Sequence, residues 1–96
     1  MIKLKGTEKQ IAWAEDIRRR NIEYLEEVIK RFEIRAAATG QNFPEVVADL
    51  HRCIHEFKTL EDFSSAKWWI EHQKCAMAFE QRLLKYHQNK YKGGPK

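Results

Sequence analysis

The chain has 96 residues, a mass of 11.5 kDa, and 43% apolar against 33% charged side chains. This is the composition of one small folded domain, too short for a large enzyme or a repeat array and unlike a disordered chain. No uncharged stretch approaches the roughly 18 residues of a membrane span, and no signal-peptide pattern opens the sequence. The net charge of +4 is uneven: residues 1–40 carry +2, residues 41–62 carry −3, and residues 63–96 carry +5. Two cysteines, Cys53 and Cys75, are too few for a disulfide framework. Reduced thiols and a cytoplasmic location are the expectation.

In chain order, Thr7-Glu8-Lys9-Gln10 has the form of a capping box, with Leu4 placed to cover the first turn. Ile11, Ala14, Ile17, Leu25, Val28, Ile29 and Phe32 then recur at helical spacing until Gly40, a natural left-handed terminator. A helix over residues 8–38 would be about 46 Å long. Arg18, Arg19, Arg20 and Asn21 interrupt its apolar stripe, which leaves open whether the helix is continuous or has a kink or a solvated crossing point there. The second helix starts with Asn42 as cap and Pro44 in the first turn and runs to about Lys58. Phe43, Val47, Leu50, Ile54 and Phe57 form its narrow seam. A third helix is expected from about Ser65 to Tyr86 or beyond, apolar on two sides. Ala66, Trp69, Ile70, Met77 and Leu84 share one face; Trp68, Cys75, Phe79 and Tyr86 share the other, with His72 and Arg82 among them.

A helix apolar on both sides needs more cover than two companions in so short a chain supply, and self-association is the economical remedy. The expected fold is therefore all-α: an elongated antiparallel arrangement of a long, a short and a long helix, forming a homodimer. Residues 1–90 make the single domain and residues 91–96 a flexible basic tail.

The residues that could carry chemistry are few. His51, Cys53 and His55 on the second helix, with His72 and Cys75 on the third, are of metal-ligand type. On the helix, however, His51 and His55 lie on one flank of the seam and Cys53 on the other, so the five cannot converge. The paired Cys-x-x-Cys spacing of strong zinc motifs is absent, and no metal or other cofactor is expected. No phosphate loop, nucleophile elbow or zinc-protease motif occurs. Adjacent acids such as Glu26 and Glu27 point about 100° apart rather than forming a dyad. The chain reads as a non-enzyme.

Binding is the better-supported class. Trp68 and Trp69 cannot share a face, so one belongs to the core and the other to a contact. The expected partner-binding face is Trp68, His72, Cys75, Phe79, Arg82 and Tyr86, turned toward a protein partner. The alternative is a nucleic-acid-binding surface made of Arg18, Arg19, Arg20, Lys85, Lys90 and Lys92. Against it, helix 1 interleaves its cations with acids at i, i+4 spacing, as in Glu15–Arg19, Asp16–Arg20, Glu26–Lys30 and Glu27–Arg31.

Two stretches carry a resemblance. Leu4 to Arg18 resembles the opening of small uncharacterised bacterial and prophage proteins, of the form Gly-Ser/Thr-x-Lys-Gln-x-x-Trp-Ala-x-x-Ile-Arg. Ala66-Lys67-Trp68-Trp69-Ile70-Glu71 resembles a later Ala-Lys-aromatic-Trp-Ile-Asp/Glu motif of the same group. The resemblance implies a bacterial or mobile-element origin and no particular activity. It also leads to the expectation that Trp13 and Ile17 share one packing cluster with Trp69 and Ile70. The functional expectation is a helical interaction protein, an adaptor or inhibitor of host machinery.

Overall fold

A computed structural model describes residues 1–92, with side chains through Gln88. It is all-helical among those residues: α1 (Glu8–Thr39), α2 (Pro44–Thr59), a 3-10 turn (Glu61–Phe63), α3 (Ala66–Glu71) and α4 (Cys75–Lys92). The chain packs into a slab of 53 × 27 × 18 Å. None of the described helices is long and apolar enough to cross a membrane.

α1 begins where the capping box places it. The Gln10 amide donates to Thr7 Oγ1 at 3.2 Å, and the Thr7 amide donates to Gln10 Oε1 at 3.1 Å. It ends at Gly40 (φ 76°), whose N–H donates to the Ala36 carbonyl. The helix runs unbroken through residues 18–21, continuous over 32 residues. Arg18 and Asn21 take stripe positions themselves: both are buried between Ile17 and Ile22, with their polar ends engaged.

The residues before α1 form a strap. The Ile2 amide donates to the Lys58 carbonyl and the Lys5 amide to Ser64, while the Ala66 amide donates back to Lys5. Arg18 Nη1 closes the strap by donating to the Ile2 carbonyl at 2.6 Å. Gly6 must be glycine here: its φ is +156°, and a Cβ would sit 2.9 Å from Gln10 Oε1 and 3.0 Å from Ala66 Cβ. The two stretches that carry the resemblance therefore meet at this corner.

α2 corrects the expected cap. Phe43, not Asn42, precedes the first helical residue and makes no side-chain cap, leaving Pro44 to start the helix. Its buried side carries Val46, Leu50, Cys53, Ile54 and Phe57. Phe57 meets Phe63 and Trp69 edge to face at 5.0 Å each, and Trp69 Nε1 donates to the Phe63 carbonyl at 2.8 Å. Trp69, Leu25, Leu50 and Val28 are the largest fully buried side chains.

The expected third helix is in fact two, so the long–short–long plan becomes four helices among the described residues. Ser65 caps α3 by accepting from the Trp68 amide. The rod then breaks over residues 72–74. Asn21 enters the break: its Nδ2 donates to the Gln73 carbonyl at 3.0 Å and its Oδ1 accepts from the Ala76 amide at 3.0 Å. One buried amide thus satisfies backbone groups on both sides of the break, including an N–H that the first turn of α4 leaves unpaired. The interruption also moves the buried stripe of α4 to Ala76, Leu83 and His87, leaving Met77 40% and Leu84 38% exposed. α4 continues to Lys92, and residues 93–96 of the expected tail lie outside the described residues.

Candidate interaction groove

Between α2 and α4 lies an open groove of about 800 Å³. Five of the six residues expected to bind a partner line it: Trp68, His72, Cys75, Phe79 and Arg82. Tyr86 does not join them. It is 63% exposed and makes an edge contact with His87. The α2 wall adds Cys53, Glu56 and Phe57, the 3-10 turn adds Phe63, and Ala78 and Lys85 extend the α4 wall.

Each part of the lining is held from behind. Trp68 is pinned by the edge of Phe63 at 5.1 Å and by Trp69 at 5.0 Å. Its outer face stacks on His72 at 4.5 Å and 16°. His72 Nδ1 is bonded to the Trp68 carbonyl at 2.7 Å, so the imidazole closes the end of α3 while lying flat on the indole. Cys75 lies against Asn21 Oδ1 at 3.6 Å. Burial first, then the nearby Cys75 and Glu56, push the Cys53 thiol up to about 12. Burial pushes Cys75 up to about 11 against the pull of two backbone hydrogen bonds. Both thiols are free, and both stay protonated at neutral pH.

Beyond the groove, α2 and α4 are joined by His87, whose side chain is 7% exposed. Its Nε2 lies 3.3 Å from Asp49 Oδ2, and Asp49 also pairs with Arg52 at 2.8 Å. His87 Nδ1 has no hydrogen-bond partner among the described residues, with Glu45 Oε2 the nearby carboxylate at 3.9 Å.

The other candidates are scattered. His51 lines a separate crevice with Phe32 and Val47, and His55 is exposed. No three His, Cys, Asp or Glu side chains converge on a point among the described residues. Arg18 is buried and engaged with Ile2, which removes it from the expected basic row. Arg19 pairs with Asp16 and with Glu23, and Arg20 pairs with Asp16 at 2.9 Å. Of the expected i, i+4 pairs on α1, only Asp16–Arg20 forms among the described residues. Lys85 stands at the groove, away from these arginines, and the side chains of Lys90 and Lys92 lie outside the described residues. Trp13 is 53% exposed rather than clustered with Trp69, because Ala14 and Ile17 turn the core face of α1 away from it.

Sequence reasoning missed Asn21, Phe63, Glu56 and His87. Asn21 had a signal: it falls four residues after Ile17 and four before Leu25, a stripe position for which a polar side chain needs a buried partner. Comparison of the chain with protein-family models, with curated proteins and with solved structures finds no match in any of the three.

Proposed function

We propose that this chain is a non-catalytic interaction protein that binds another protein chain in the groove between α2 and α4. The observation that carries the reading is the half-buried Trp68, stacked and braced on three sides, opening with Phe79 onto a groove of about 800 Å³. A rigid aromatic in an apolar depression with a charged rim is the composition of an interface centre. The non-catalytic part is supported by two protonated thiols and by an imidazole occupied in closing its own helix. The resemblance to bacterial and prophage proteins favours an adaptor or inhibitor acting on host machinery.

The test is photo-crosslinking from the groove itself. A benzoylphenylalanine placed at Ala78, an exposed groove position, should give peptide adducts that disappear in a Phe79→Asp background. The same probe at Lys9, on the outer face of α1, is the control. Equal labelling from Lys9, or adducts with nucleic acid alone, would overturn the reading.

A further inference from the structure

We propose that the occupant of the groove is a second copy of this chain, with the α2 wall of each protomer laid on the α4 wall of the other. The inference rests on the protein-binding reading above and names its partner. The first ground is shape. The slab is 53 Å long and 18 Å thick, so its helices keep long faces in water.

The second ground is charge. The two walls come from oppositely charged stretches, −3 over residues 41–62 and +5 over residues 63–96. At the groove this becomes Glu56 on α2 facing Arg82 and Lys85 on α4. None of these three forms an ion pair among the described residues. A two-fold axis along the groove sets Glu56 of each copy against Arg82 and Lys85 of the other, twice by symmetry. An axis across the groove would instead stack α4 on α4 and set cations against cations, which costs specificity and affinity. The charges therefore select the first register, with Trp68 and Phe79 at its centre.

Sedimentation equilibrium on the full chain tests this. The expected mass is about twice 11.5 kDa at protein concentrations up to about 0.2 mM. Glu56→Lys alone and Arg82→Glu alone should each weaken the dimer about tenfold, and the two together should restore it. Far-UV circular dichroism confirms that each variant remains folded. A wild-type chain that stays monomeric, or a double variant no tighter than the singles, overturns the inference. A monomer that still gives Ala78 adducts to a different protein leaves the protein-binding reading standing; no protein adduct at all removes both.

Discussion

Trp68 and Trp69 are adjacent in sequence and have opposite surroundings. Trp69 is fully buried, with Phe57 and Trp68 against its ring edges and its indole N–H given to a backbone carbonyl. Trp68 is half-buried and shares one face with an exposed imidazole. Near Trp69 the strap is tied to α2, to Ser64 and to α3 by backbone bonds between Ile2 and Lys58, Lys5 and Ser64, and Ala66 and Lys5. On the Trp68 side, α4 is held without a buried aromatic of its own among the described residues, by Ala76, Leu83, the Asn21 amide and the His87–Asp49 bond. Aromatic area is used for internal cohesion at one corner and left in the groove at the other. The difference separates what the protomer needs in order to fold from what is available for a partner.

The largest effect that could break this contrast is on stability. Trp69→Ala should cost about 3–5 kcal/mol in urea denaturation, whereas Phe79→Ala in the groove should cost about 1 kcal/mol or less. Equal costs would mean the groove is core.

The thiols sharpen the contrast by reactivity. Cys53 and Cys75 lie well above their ordinary value of 9.0, so alkylation of the folded chain at pH 8 should run about 100-fold slower than that of the urea-unfolded chain. Linkage gives the sign for stability. Unfolded thiols ionise from about pH 9 while the folded ones remain protonated, so stability present below pH 9 is lost as pH rises toward 12. A Cys53→Ala variant should show a shallower decline over that window; an identical slope would show that the thiol is not shielded.

Asn21→Ala removes the amide that joins the two halves of the broken rod and should cost about 1–3 kcal/mol. Hydrogen exchange at the Ala76 amide should quicken more than at Ala66, and uniform quickening would deny Asn21 its local role. The smallest effect is at the cap. Thr7→Ala should cost about 1 kcal/mol by thermal melting, without changing the mass in solution.

Much of the fold is legible because local physics decides it. The Thr7–Gln10 box and Gly40 bound α1 through hydrogen bonds of a few residues' reach, and Ser65 caps α3 in the same way. Helical spacing groups Trp68, His72, Cys75 and Phe79, and they do line one groove, although the break divides them among α3, the turn and α4. The break at residues 72–74 is not legible. No glycine or proline marks it, and its hydrogen-bond partner, Asn21, lies more than 50 residues earlier. Nor could spacing place Trp13 in water or Arg18 in the core, since each depends on which flank of α1 its neighbours cover.

By itself, then, the sequence determined both ends of α1, the start of α3, and the charge contrast between its middle and its last third, all properties set within a few residues or by counting. The tertiary structure decided where α3 ends and α4 begins, which tryptophan is core, and that Glu56 and Arg82 flank one groove. Those outcomes depend on buried polar groups finding partners across the chain: the side-chain amide of Asn21 is buried, and the break supplies the Gln73 carbonyl and the Ala76 N–H that satisfy it.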